Sequence, residues 1–266
     1  MTVQYDVAGL VVVIAGGTTG LGLSAAQRLV EQGAKVVVFG RSDESVRSAL
    51  TVLGASARGF AGDACEPSTA EKAVELAVRE FGRIDALYHV AGGSGRSQGD
   101  GPLHEITDEG WQFTLDLNLT SLFNSNRAAV RQFLKQGGGG TILNMGSVLG
   151  WSPSPVHFAS HAYAATKSAI LGFSKATASY YVDDNIRINV IAPALVETPM
   201  SKRAVGNDEI MRFIATKQPL DGGRVGVPED LDGAALFLLS RHAHFITGQV
   251  LAVDGGWTVS EGQYAE

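Results

Sequence analysis

The sequence predicts an α/β fold: a doubly wound, mostly parallel, Rossmann-like sheet of about seven strands with helices on both faces. Three observations lead there. Short apolar, β-branched runs alternate with longer stretches of helical periodicity from the first residues onward. The best of these runs are apolar throughout, as strands covered on both faces are. The first of them passes directly into a glycine-rich turn that opens a helix.

Leu10 to Ala15 (LVVVIA) is the first strand, and Leu21, Ala25, Ala26, Leu29 and Val30 follow at helical spacing until Gly33 supplies a stop. Lys35 to Gly40 (KVVVFG) returns as strand two. Ser42 or Asp43 caps the next helix, Ala57 to Ala61 makes a weak third strand, and Pro67 opens a helix whose inner face is Ala73, Val74, Ala77, Val78 and Phe81. Strand four is Ile84 to Val90. A long helical region, Asp108 to Lys135, ends at the turn Gly137 to Gly140 and leads into strand five, Thr141 to Asn144. A helix then covers about Ala162 to Tyr181, Arg187 to Ile191 is a strand, Pro228 to Leu239 is helical, and Gln249 to Val253 closes the sheet. No internal repeat and no shift in composition marks a boundary, so residues 1–266 are expected to form a single domain.

Bulk properties narrow the function. A chain of 266 residues with 45% hydrophobic and 18% charged side chains is long enough to bury a substantial core. The net charge of -6 is spread without basic blocks, which argues against a nucleic-acid groove or a polybasic membrane patch and for small-molecule partners. Cys65 is the only cysteine, so an intrachain disulfide and a multi-cysteine metal site are excluded, and a reducing, cytoplasmic setting is expected. The apolar run at Leu10 is too short to span a bilayer, and no signal-type segment precedes it. Asn118-Leu119-Thr120 fits a glycosylation pattern that has meaning only in a secreted chain, and it is discounted.

The turn after strand one reads Gly16-Gly17-Thr18-Thr19-Gly20-Leu21-Gly22. A tight strand-to-helix turn, close backbone approach to a pyrophosphate and helix-on-strand packing each require a glycine, and Gly16, Gly20 and Gly22 fit those tasks. The helix start offers free N–H groups and a partial positive charge to phosphates. A glycine turn without a ligand is the plainer alternative. At the end of strand two an acidic residue would accept from an adenosine ribose and a basic one would favour a 2'-phosphate. Here Phe39-Gly40-Arg41 supplies a guanidinium and no carboxylate, so NADP(H) is the expected cofactor, with NAD(H) possible because Asp43 or Glu44 also lies within reach of a ribose. Asp63, just after strand three, is placed either to accept from the adenine amino group or to serve a turn, with Ala64 beside it.

Tyr163 and Lys167 sit four residues apart on a helix and share one face. Ser147 follows strand five, at the strand end where ligands bind in this architecture. Asn118 interrupts the apolar sequence Leu115, Leu117, Leu119, Leu122, where a buried amide needs a partner or a task. Reducing a carbonyl requires a proton at oxygen as hydride reaches carbon, and a phenol can deliver it if a nearby cation such as Lys167 favours its anion. The Ser147 hydroxyl would stabilise charge on the substrate oxygen.

Together with Pro193 to Thr198, Phe245-Ile246-Thr247-Gly248 and Val253-Asp254-Gly255-Gly256, these residues resemble the short-chain dehydrogenase/reductase family in its compact single-domain branch, and the match spans nearly the whole chain. The resemblance implies an NAD(P)-dependent dehydrogenase/reductase acting on a small carbonyl or alcohol substrate. It implies a tetrad of Asn118, Ser147, Tyr163 and Lys167, in which Asn118 holds a water linking Lys167 to solvent. Cofactor contacts would come from Gly16, Thr18, Thr19, Gly20, Leu21, Gly22, Arg41, Asp63, Ala64, Ala91, Gly92, Tyr163, Lys167 and Pro193, with Val196 and Thr198 beside the nicotinamide carboxamide. A homotetramer or homodimer is implied as well. A non-catalytic NAD(P)-sensing protein on the same fold is the alternative, but such a protein has no chemical reason to keep all four polar groups.

Three positions depart from the family pattern. Ala15 stands where threonine is usual, His89-Val90-Ala91-Gly92 replaces an Asn-Asn-Ala-Gly run, and Ala194 follows Pro193 where glycine is usual. His157 and His161 have helical spacing, yet Pro153 and Pro155 precede them and no carboxylate cluster accompanies them, so a pocket wall is expected and no metal site. Trp151 and Phe158 are expected in that wall, with the substrate rim completed by residues 94–101, 151–161 and 199–218, the last as a helical lid.

Overall fold

The computed structural model describes residues 4–262; the ends of the expected domain, 1–3 and 263–266, lie outside the described residues. The apolar runs become seven strands: β1 (Val11–Ala15), β2 (Lys35–Gly40), β3 (Ala57–Ala61), β4 (Ala86–His89), β5 (Gly140–Met145), β6 (Ile186–Pro193) and β7 (Val250–Val253). They form one sheet in the order β3-β2-β1-β4-β5-β6-β7, and each neighbouring pair is parallel. The order reverses between β1 and β4, and a crevice opens at the carboxyl ends of the strands beside such a reversal.

Nine α-helices connect and flank the strands among the described residues: α1 (Gly20–Glu31), α2 (Asp43–Leu53), α3 (Pro67–Phe81), α4 (Asp108–Leu115), α5 (Ser121–Gln136), α6 (His161–Tyr180), α7 (Lys202–Val205), α8 (Asp208–Lys217) and α9 (Glu229–Leu239). Successive β1 side chains point to opposite faces, and both faces are covered. Val12 and Ile14 pack with Ala25 and Leu29 of α1 and Leu236 of α9, while Val11, Val13 and Ala15 pack with Ala73 and Ala77 of α3 and Ala129 and Phe133 of α5. This two-sided burial is why the strands read as unbroken apolar runs. No helix among the described residues is long and apolar enough to cross a membrane.

Strand four is shorter than the expected Ile84 to Val90, because Asp85 turns back to accept from Val11 N through its carboxylate. The expected helix over Asp108 to Lys135 is a pair, α4 and α5, joined by a π turn at Asp116–Thr120. Such wide turns recur at functional sites because they break the i→i−4 ladder and re-aim a side chain. Asn118 is the residue at its centre. Residues 199–218 hold α7 and α8, whose Ala204, Ile210, Phe213 and Ile214 pack with Val148 and Trp257 over the end of β5.

Candidate active site

The glycine turn has the geometry its spacing implies. Gly16 is left-handed (φ +78°), and a Cβ there would lie 2.8 Å from the Ala91 backbone nitrogen. Gly20 is also left-handed (φ +50°), with the Thr198 methyl 3.4 Å from where its Cβ would be. Gly22 is helical, but a side chain on it would overlap the Gly16 carbonyl oxygen. Gly17 carries a constraint that the spacing did not reveal, since a Cβ there would come within 2.8 Å of the Val38 side chain. The N-cap of α1, Thr19, makes no side-chain cap bond and the first turn holds no acidic residue, so the N–H groups of Gly20, Leu21 and Gly22 are left for an anion. A cradle that no side chain can enter, ending on an uncapped helix start, fits a dinucleotide pyrophosphate.

At the end of β2, a side chain on Gly40 would overlap the Thr18 hydroxyl, which also accepts from Ser45 Oγ at 3.2 Å. A carboxylate is thus kept from the strand end by Thr18. Arg41 lies exposed next to it, and so do Asp43 and Glu44 in the first turn of α2. Asp63 serves the turn after β3, its Oδ1 accepting from Cys65 N at 2.9 Å, and Ala64 beside it is buried. Burial, helped by Asp63, pushes the Cys65 thiol up to about 12, so it stays protonated and inert as a structural thiol. On the other side of the crevice Ala91 N donates to Ala15 O at 2.9 Å, which ties the loop of Ala91 and Gly92 to the first strand. Pro193 ends β6, Val196 pairs with Gly226, and Thr198 N donates to Ser201 Oγ at 2.9 Å, so this loop returns over the start of α1.

Ser147, Tyr163 and Lys167 meet at the floor of the crevice. Ser147 and Tyr163 line one cavity, and the Ser147 hydroxyl favours the anion of the Tyr163 phenol. Lys167 follows one turn later on α6, with Nζ donating to Met145 O at 2.9 Å and lying 5.5 Å from the centre of the Tyr163 ring. The expected lowering of the phenol by Lys167 is not what the structure shows. Burial raises Tyr163 to about 12, with only the Ser147 hydroxyl pulling it down, and burial lowers Lys167 to about 7. Both shifts have one cause, the loss of water around the charged form.

Asn118 joins the group by a route the sequence did not anticipate. Its side chain is wholly buried, accepts from Gly93 N at 3.0 Å and donates to Gly93 O and Thr114 O, each at 3.0 Å. The amide therefore holds the loop after β4. Gly92 lets the two groups come close: a Cβ there would lie 2.8 Å from Asn118 Oδ1 and 3.7 Å from Lys167 Nζ. His89, which replaces an amide of the family pattern, is buried between Ser125 Oγ at 3.0 Å and Ser121 Oγ at 3.5 Å. Burial and the neighbouring Lys167 push it down to about 3, so it is a neutral strut between β4 and α5.

Of the residues expected in the pocket wall, Phe158 and Ser160 line the cavity, as do Ser94, Met200 and Ala204 of the rim segments. Trp151 and the two histidines do not. Trp151 is 42% exposed, the His157 ring packs on Phe213 at 4.9 Å, and His161 begins α6 facing solvent. Trp257 takes the place expected of Trp151, its Nε1 donating to Ser152 O at 3.0 Å and its ring meeting Phe158 edge-on at 5.7 Å. Gln218 was also missed: buried, it accepts from Leu195 N at 2.9 Å and donates to Leu195 O at 3.2 Å, clamping the loop beyond Pro193. The position of Trp257 one residue past the Gly255-Gly256 pair was the only local signal for it.

Asp100 is the third residue missed, and it places α6. Only 4% exposed, its two carboxylate oxygens accept from Ala162 N and Tyr163 N, each at 3.0 Å. A carboxylate at a helix start satisfies orphan donors and opposes the dipole. Asp100→Ala is expected to cost about 2 kcal/mol in denaturant unfolding, and Asp100→Asn, which keeps an acceptor, about half of that. Equal losses would show that the carboxylate does not act as the cap.

A family model described as enoyl-(acyl carrier protein) reductase matches residues 15–258. The chain is 35% identical over 248 residues to the 3-oxoacyl-(acyl-carrier-protein) reductase FabG of Chlamydia muridarum, covering 92% of this chain and 95% of the relative. It is 33% identical over 255 residues to 2,5-dichloro-2,5-cyclohexadiene-1,4-diol dehydrogenase LinX of Sphingobium indicum, covering 95% and 97%. It is 32% identical over 255 residues to 2-dehydro-3-deoxy-D-gluconate 5-dehydrogenase of Dickeya dadantii, again covering 95% and 97%. Among solved structures, a short-chain type dehydrogenase/reductase from Mycobacterium ulcerans superposes with a TM-score of 0.88 at 30% identity, covering 97% of this chain and 92% of that one.

Proposed function

The chain belongs to the short-chain dehydrogenase/reductase family of NAD(P)-dependent oxidoreductases, and from that premise we propose that it moves a hydride between NADP(H) and a small carbonyl or secondary-alcohol substrate, with Tyr163 as acid/base. The observation that carries the proposal is the Ser147–Tyr163 pair lining one cavity, with Lys167 one turn behind it. Bound nicotinamide supplies or takes up the hydride. The chain's part is proton transfer and charge stabilisation. In reduction Tyr163 Oη gives its proton to the carbonyl oxygen, and Ser147 Oγ donates to that oxygen as charge grows on it. In oxidation the same proton returns to Tyr163. Lys167 and Asn118 act from behind, Lys167 through its charge and Asn118 by fixing the loop that carries Gly92 and Gly93. A sensing protein would leave the Ser147–Tyr163 pair without a task.

The dinucleotide would lie along Gly16, Gly20 and Gly22, with Thr18, Thr19 and Leu21 at the helix start, Asp63 and Ala64 toward the adenine, and Ala91 and Gly92 along the ribose. Pro193, Val196 and Thr198 would border the nicotinamide. NADP(H) is the proposed preference because Thr18 keeps a carboxylate from position 40 while Arg41 is exposed and next in line. Residues 94–101, 151–161 and 199–218 would form the substrate rim of this single domain, with α7 and α8 as its lid. The proposed setting is cytoplasmic. A homotetramer or homodimer would cover Trp111 and Phe123 on α4 and α5, and Phe245 and Leu251 by the edge strand β7, all large apolar side chains left exposed.

The deciding assay follows reduced nicotinamide absorbance while purified protein is mixed with NADPH or NADH and a panel of ketones. No oxidation of either cofactor with any ketone would defeat the enzymatic reading. For cofactor choice, Arg41→Ala is expected to weaken NADPH binding about tenfold while changing NADH binding far less. Equal losses, measured by fluorescence titration, would overturn the NADP preference.

A further inference from the structure

We propose that the substrate carries an anionic group, a carboxylate or a phosphate, which Arg96 and Arg203 hold at the mouth of the cavity containing Ser147 and Tyr163. The proposal rests on the reading of that cavity as the substrate site. The cavity measures about 130 Å³, and its walls are mainly apolar, including Val148, Leu149, Phe158, Leu195, Met200 and Trp257. Among the described residues Arg96 and Arg203 are the only charged ones lining it, and no carboxylate does. In a chain of net charge -6 this is a local inversion of sign.

The two guanidiniums come from distant parts of the sequence. Arg96 lies in a short turn between β4 and α4, and Arg203 lies on α7 beyond β6. Among the described residues neither has a carboxylate partner, whereas Arg28, Arg58, Arg83 and Arg224 do. Arg203 donates to His157 O at 3.3 Å, which anchors one edge of its fork and leaves its other donors open. Burial, and then the charge of Arg96, lower the pKa of Arg203, so the pair is electrostatically unfavourable as it stands. Like charges brought together beside an apolar wall are stabilised when an oxyanion bridges them, and the planar guanidinium fork matches both carboxylate and phosphate oxygens. A cavity well under the roughly 300 Å³ of drug-sized sites suits a compact carbon skeleton. The expected substrate is thus a small oxo or hydroxy compound whose reacting carbon sits at Tyr163 and whose anion sits at the arginines.

The test compares matched pairs in the NADPH and NADH assay: four- to six-carbon 3-oxo and 4-oxo acids against their methyl esters, and hydroxyketone phosphates against the unphosphorylated ketones. Wild type is expected to favour the anionic member of at least one series by about thirty-fold in kcat/KM, and Arg96→Gln or Arg203→Gln to shrink that ratio toward one. The series that shows the preference distinguishes carboxylate from phosphate. Equal use of charged and neutral partners overturns the anion site while leaving hydride transfer standing. If no compound turns over, calorimetric titration with 3-methylbutanoate, its methyl ester and a small alkyl phosphate decides. Binding of an anion that both arginine variants lose supports the site, and binding indifferent to charge or to the arginines overturns it.

Discussion

Replacing Tyr163 by phenylalanine is expected to lower kcat about 1,000-fold, in both directions, while leaving the fold and the dinucleotide affinity in place. The ring is retained and only the hydroxyl in the cavity is lost. The pH profile of the wild type gives a second check. Burial holds the phenol up at about 12, so the neutral acid needed for carbonyl reduction is present across the ordinary range. Alcohol oxidation needs the anion instead, and its rate should climb as pH approaches that value. Lys167, lowered to about 7, is a cation below neutrality and loses its charge above it. Lys167 does not lower the resting phenol, but as the proton departs its charge steadies the anion left on Tyr163, so kcat/KM for reduction should be level below pH 7 and fall above it. Substantial activity in Tyr163→Phe, or reduction that accelerates with rising pH, would contradict the assignment.

Gly22→Ala is expected to raise the dinucleotide Kd about 100-fold and to destabilise the chain by about 3 kcal/mol. The new methyl would overlap the Gly16 carbonyl oxygen and lie 3.0 Å from Gly17 Cα, and these are backbone atoms that cannot rotate aside. Relief requires α1 to move away from the turn, which takes the uncapped N–H groups away from the pyrophosphate. Gly172→Ala is the control. That glycine is in α6, exposed, with nothing within 4 Å of the added carbon, so alanine there should be neutral or stabilising by about 0.5–1 kcal/mol. Fluorescence titration with NADPH and denaturant midpoints measure both. An unchanged Kd in Gly22→Ala would mean that the turn is not the dinucleotide cradle.

Much of the fold was legible because its signals are local. The order of strands and helices followed from period and run length, and strand boundaries moved by one or two residues, with Asp85 closing off the start of β4. The π turn at Asn118 was not legible, since a wide turn and an ordinary helix carry the same apolar pattern. In the site, Ser147, Tyr163 and Lys167 were found from their spacing and strand-end placement, and the structure brings them together. Asp100, Gln218 and Trp257 were not found. Each acts on backbone that is 62, 23 and 105 residues away in sequence, a distance over which no period or motif carries information.

The sequence by itself determined a parallel sheet, its nucleotide turn and the residue types available for proton transfer, because backbone sterics, strand patterning and helix periodicity act between near neighbours. Tertiary structure alone decided which loops enclose the cavity, that Arg96 and Arg203 face it together, and how firmly Tyr163 holds its proton. Those properties depend on the removal of water by segments far apart along the chain, and desolvation belongs to the packed molecule rather than to any stretch of it.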